Sequence, residues 1–142
     1  MYLLVLLLFL CVSGLSSPEQ KPQDCFSYEP ATITIKGEIS RKTFAGRPNY
    51  ESIKKGDEPE TYWILHLPKS VCIDNGTKAT PDDVPEKNVS AIQLILSEDQ
   101  YARYKDLINK QVIVRGKLLH AISGHHHTKV IMEVAEIKGE GP

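Results

Sequence analysis

Ser97-Glu98-Asp99-Gln100-Tyr101-Ala102-Arg103-Tyr104-Lys105-Asp106-Leu107-Ile108 is the stretch that decides the fold, because it reads as a helix among segments that read as strands. The Ser97 hydroxyl is placed to accept from the Gln100 amide while the Gln100 side chain reaches back, which is a capping box. Leu96 and Tyr101 stand where the matching hydrophobic staple would close. Glu98 and Asp99 fall in the first turn, where negative charge complements the helix dipole. Tyr101, Tyr104, Leu107 and Ile108 make an apolar stripe, and Asn109-Lys110 ends it.

On either side the period changes from helical to alternating. Thr32 to Ile39 alternates, with Ile33, Ile35 and Ile39 on one face. Thr61 to Leu67 is apolar on both faces and bounded by Pro59 and Pro68, as a buried strand is. Val89 to Leu96 sets Ile92, Leu94 and Leu96 together. Gln111 to Leu119 and Lys129 to Ile137 complete the series, the last with Val130, Met132 and Val134 facing one way. A mainly β chain with one helix between its third and fourth strands has the order of a five-stranded, OB-fold-like β-barrel, the oligonucleotide/oligosaccharide-binding architecture. Gly37 and Gly116, inside strand patterns, suit the bends of a small barrel. A generic α+β sheet carrying one helix is the alternative.

The chain has 142 residues and a formal net charge of −1. Residues 1–17 read as a signal peptide: an apolar run of roughly a dozen residues, too short for a bilayer span, followed by Ser13, Gly14, Ser16 and Ser17. No Lys or Arg precedes the run, and Leu10 occupies the place where lipidation at Cys11 needs a small residue. Residues 18–30 are expected as a flexible lead-in and 31–138 as a single domain. Export sets the redox compartment. After cleavage two cysteines remain, Cys25 and Cys72, an even count that argues for a disulfide bond in an oxidising space; two buried thiols are the other reading. The near-neutral balance offers no broad basic field, which excludes strong nucleic-acid binding. Stable membrane insertion is not expected once the signal is removed.

Two connections stand out. The first runs from Arg41 to Glu60 and includes Arg47, Pro48, Asn49, Tyr50, Glu51 and Asp57. The second is Ala121-Ile122-Ser123-Gly124-His125-His126-His127-Thr128. In the barrel both would flank the binding face, and long ordered loops on a rigid scaffold often carry function. Arg47, Asn49, Tyr50, Glu51, Asp57, His125, His126 and His127 are therefore the candidate contact residues. Their plainer roles are a Pro48-Asn49 turn, Tyr50 plugging the barrel end, Gly56-Asp57 as a turn pair, and imidazoles tied to loop carbonyls. Trp63 is expected in the core.

Gly46 to Ile53, Gly56 to Leu65, Gly124 to Thr128, the Gln93-Leu94 and Gln100-Tyr101 pairs and the two cysteines together resemble an exported bacterial family, domain of unknown function 4431. The resemblance runs from about Cys25 to Ile137 and implies an exported bacterial domain without an established activity. It names a relative and no reaction.

On an extended segment His125 and His127 would point the same way and could share a zinc or copper ion, with His120, His66, Glu51, Asp57 or Glu60 completing the shell. No hydrolase helix motif, nucleophile elbow or phosphate loop is present. The expectation is a non-enzymatic binding module, periplasmic or secreted, without a cofactor. It would use the two loops on an envelope protein or saccharide, as an inhibitor or immunity-type protein does. A metal-binding protein or weak metal-dependent hydrolase using His125 and His127 is the alternative.

Overall fold

The computed structural model describes residues 25–76 and 80–141. The expected signal segment, and the lead-in through Asp24, lie outside the described residues. The strands are β1 (Phe26–Ser27), β2 (Thr32–Ala45), β3 (Pro59–Asp74), β4 (Glu86–Ile95), β5 (Gln111–His120) and β6 (Val130–Gly139). Among the described residues one α-helix, α1 (Glu98–Tyr104), follows β4 and runs into a 3-10 turn at Lys105–Leu107. The chain is mainly β, as its alternation predicts.

The six strands form one mixed sheet in the order β1-β3-β2-β5-β6-β4, with β3 also paired to β4. β2 pairs antiparallel with both β3 and β5, β5 with β6, and β4 with β3, while β4 runs parallel to β6. Among β2 to β6 each strand pairs with two of the others, so the pairings return to their start, and β3 carries β1 as well. Inside lies the core: Ile33, Ile35, Ile39, Trp63, Leu65, Ile92, Leu94, Val112, Val114, Leu118, Met132 and Val134. Burying each large side chain contributes about 1.5–3 kcal/mol, so this interior set is the main source of stability.

Two glycines let backbones meet. A Cβ on Gly116 would stand 2.2 Å from the Glu133 carbonyl oxygen, and one on Gly37 2.5 Å from that of His66. Gly116 also lies where the β5–β6 register shifts. No side chain fits at either place.

The capping box forms as read. Gln100 N donates to Ser97 Oγ at 3.3 Å and Ser97 N donates to Gln100 Oε1 at 2.9 Å. Gln100 Nε2 also donates to the Val134 carbonyl at 2.9 Å, which fastens the helix start to β6. The regular α-helix is shorter than its apolar stripe, because the 3-10 turn carries Leu107.

Three boundaries differ from the sequence reading. β2 and β3 pair out to Ala45–Pro59, so the first connection is Gly46–Glu58 rather than Arg41–Glu60. Pro68 does not end β3; the register with β4 slips between His66 and Val71, and the proline falls in that irregularity. Residues 25–28, expected within the flexible lead-in, are built into the fold. Phe26 and Ser27 pair with Ile73 and Asp74, Tyr28 is fully buried, and Cys25 is bonded to Cys72. The disulfide and the strand pairing together hold this segment against the end of β3.

Candidate functional site

The loop Gly46–Glu58 is organised around one carboxylate. Asp57 is only 4% exposed. Its Oδ1 accepts from Asn49 N at 2.9 Å and Asn49 Nδ2 at 3.2 Å. Its Oδ2 accepts from Glu51 N at 2.8 Å and Ser52 N at 2.7 Å. The Ser52 and Asn49 amides, aimed at the charged form, hold the Asp57 pKa below the usual carboxylate range. As a contact for an outside partner Asp57 is spent, since its acceptors are consumed by the loop's own N–H groups. Asn49 is used in the same knot, and Glu51 contributes its amide while its side chain stays exposed.

A group whose folded pKa lies below its unfolded value adds stability above that unfolded value, and loses it as pH falls through the folded one. Asp57→Asn is thus expected to lower Tm by about 5 °C near neutral pH. The gap between wild type and variant should close on acidification from about pH 5 downward. Thermal melts across that range check it; a gap that stays constant would separate the loop's order from the Asp57 charge.

The second loop leaves β5 at Ala121 and is a turn rather than an extended strand. His126 N donates to the Ser123 carbonyl at 3.0 Å, and Ala121 N to that of Lys129 at 2.9 Å. The alternation that would set His125 and His127 side by side therefore does not apply. Instead Gln93, fully buried on β4, carries the loop. Gln93 Nε2 donates to the His125 carbonyl at 2.9 Å and His127 N donates to Gln93 Oε1 at 2.7 Å. Gln93 N donates to Thr128 Oγ1 at 2.8 Å, and that hydroxyl donates to the Val130 carbonyl at 2.7 Å. Gln93 pairs in register with Ile64 and Ile131, both buried yet outside the interior cluster. This outward row explains why the β3 sequence is apolar on both faces.

The loops meet at Tyr50 and His125. Tyr50 has a positive φ of 58°, and its ring lies so close to Gly124 that a Cβ there would be 3.1 Å from it. The Tyr50 and His125 rings stand edge to face at 5.2 Å. His125 Nδ1 donates to Glu60 Oε2 at 2.8 Å, which sets the tautomer, so Nε2 accepts from the Tyr50 hydroxyl at 3.1 Å. Tyr62 donates to the same Glu60 oxygen at 3.1 Å. The His125 hydrogen bond, with that of Tyr62, lowers the Glu60 pKa. Burial first, then Glu60, pushes the Tyr62 hydroxyl up to about 12. Arg47 is exposed, and the Tyr50 hydroxyl beside it raises its pKa further.

His127 turns inward, stacked on Phe44 with ring centres 4.0 Å apart and Tyr62 at 5.4 Å. Burial lowers its pKa, and its Nε2 is enclosed without a partner among the described residues. His126 Nδ1 accepts from Ile122 N at 3.0 Å, with its pKa lowered by burial and by His125.

Of the residues weighed for metal, His125 and Glu60 meet, while His120 and His66 are held elsewhere. His120 Nε2 lies 3.2 Å from Glu86, which Lys129 also holds at 3.0 Å, and His66 Nε2 lies 2.7 Å from Ser40 Oγ. Among the described residues no group of three or more His, Cys, Asp or Glu side chains is arranged to hold a metal ion.

Glu60, Tyr62, Phe44 and Gln93 are absent from the eight contact residues read from the sequence. Glu60 and Tyr62 share a face of β3 by alternation, a signal that exists; nothing in the sequence points Gln93 at the histidine loop. The Glu60–His125–Tyr50 order is that of a proton relay; here its hydrogen bonds tie β3 to the two loops, with the Tyr50 ring against Gly124.

Fold and site together define a small, mainly β scaffold whose two long connections are clasped into one surface. A family model described as Domain of unknown function (DUF4431) matches residues 91–138, which supports assigning the chain to that family. The match takes in Gln93, the capped helix and the histidine loop, and not the Gly46–Leu65 half of the clasp. No curated protein and no solved structure matches the chain.

Proposed function

We propose that the protein is an exported, non-enzymatic binding module that presents its clasped loops to a protein of the cell envelope. In this reading the returning circuit of β2 to β6 is a five-stranded barrel of the oligonucleotide/oligosaccharide-binding type. Its support is the strand order, the parallel β4–β6 pair and the helix between β4 and β5. Export rests on the reading of residues 1–17.

The observation that carries the proposal is how polar and apolar groups divide across the clasp. Tyr50, Asp57, Glu60, Gln93 and His125 spend their hydrogen bonds on holding the loops. Ile53 and Ile122, one on each loop, are left 44% and 70% exposed. A prearranged surface loses little conformational freedom on binding. Exposed isoleucines suit an apolar protein contact better than a saccharide.

The test is capture from an envelope extract of the source cell on immobilised protein, wild type against Ile53→Asp/Ile122→Asp, with circular dichroism confirming an unchanged fold. A protein retained by the wild type and held about tenfold less well by the variant is the expected result. Equal retention by both, no retained protein, or a glycan in its place would overturn the proposal.

A further inference from the structure

A cleft of about 400 Å³ lies between the helix and the β2–β3 pair, lined by Arg41, Thr61, Trp63, Tyr101, Lys105 and Ile108. Its two walls follow from periodicity. Thr61 and Trp63 share a face of β3, and Arg41 is the register partner of Trp63 on β2. Tyr101, Lys105 and Ile108 recur at helical spacing on the opposing wall. The Trp63 and Tyr101 rings meet edge to face at 5.2 Å.

Apart from the Thr61 hydroxyl, which pairs with that of Thr43 at 2.8 Å, the polar groups here are mainly donors. Neither the Arg41 guanidinium nor the Lys105 ammonium has a hydrogen-bond or ion-pair partner among the described residues. Trp63 is 5% exposed, and its indole N–H likewise has no partner among them. No carboxylate lines the cleft. In a chain of net charge −1 this pairing of cations is local rather than part of a general basic field. Trp63 Nε1 is not among the enclosed unpartnered atoms, so this N–H opens to the cleft, where a ligand can supply the acceptor that an indole N–H normally finds. Apolar walls with a few convergent polar groups are the usual make-up of small-molecule sites.

We infer that this cleft binds a small organic anion: an acid group between Arg41, Lys105 and the Trp63 N–H, and a ring or other apolar body against Trp63, Tyr101 and Ile108. No lining residue belongs to the clasped loops, so the inference stands or falls apart from the loop proposal.

Trp63 is the only tryptophan in the chain, so its fluorescence reads the cleft directly. The purified protein would be titrated with 4-nitrobenzoate and, separately, with the neutral 4-nitrobenzyl alcohol. Saturable quenching by the acid is expected, with the alcohol weaker by about tenfold and Arg41→Met/Lys105→Met weakening the acid by at least about as much. Quenching that never saturates, equal affinity for acid and alcohol, or an acid affinity untouched by the double substitution would overturn the assignment. Should the variant fail to fold, the acid–alcohol comparison on the wild type decides alone.

Discussion

Replacing Gln93 by leucine is expected to lower stability by about 2–4 kcal/mol, a fall in Tm of roughly 10 °C. Leucine nearly fills the amide's volume, so the loss is not a cavity effect. It comes from the His125 carbonyl and the His127 amide, which Gln93 alone satisfies through its side chain. Removing one partner leaves the others desolvated and unpaired, the costly direction of a hydrogen-bond deletion. The effect has a location as well as a size. Hydrogen exchange at His127 should rise while the amides of β2 and β5, paired with each other, keep their protection. Urea unfolding with amide exchange checks both, and a variant as stable as wild type with a protected His127 amide would show that the loop is held by other contacts.

Loss of the Cys25–Cys72 bond carries the other large effect. The cysteines are 47 residues apart, and on the chain-entropy account closing a loop of that length is worth about 4 kcal/mol. Cys25→Ser/Cys72→Ser is therefore expected to lower Tm by about 10–20 °C. Unfolding should begin locally: β1 is a two-residue strand on the end of β3, and Tyr28 beyond it donates to the Val84 carbonyl at 2.9 Å. Freed from its covalent tether, this segment should exchange and be cleaved before the rest. Limited proteolysis and melts of the two forms measure it. Equal melting temperatures with an uncut N-terminal segment would show that strand pairing and Tyr28 burial suffice without the bond.

Legibility in the sequence tracked how local each interaction is. The capping box lies within four residues, and the interior faces of the strands repeat every second residue, so both could be read directly. The Cys25–Cys72 pair was suggested by the even count of cysteines after residue 17. The loop knot was half legible: Gly56-Asp57 announced a turn, but not that Asp57 would gather amides five to eight residues upstream. The histidines were misjudged in geometry because alternation assumes an extended chain, and the segment turns instead.

The sequence by itself determined that this is a mainly β chain with one capped helix, which residues form its interior, and which two connections are long and unusual. Only the tertiary structure decided that those connections are one object. Glu60 and His125 are 65 positions apart, Tyr50 and His125 75, Gln93 and His125 32. Such pairs carry no periodic signature, since their meeting depends on strand register and on how each loop folds over the outer face. The same holds for the donor-lined cleft, whose two walls each have a readable period but whose facing is set by where the helix packs on β2 and β3.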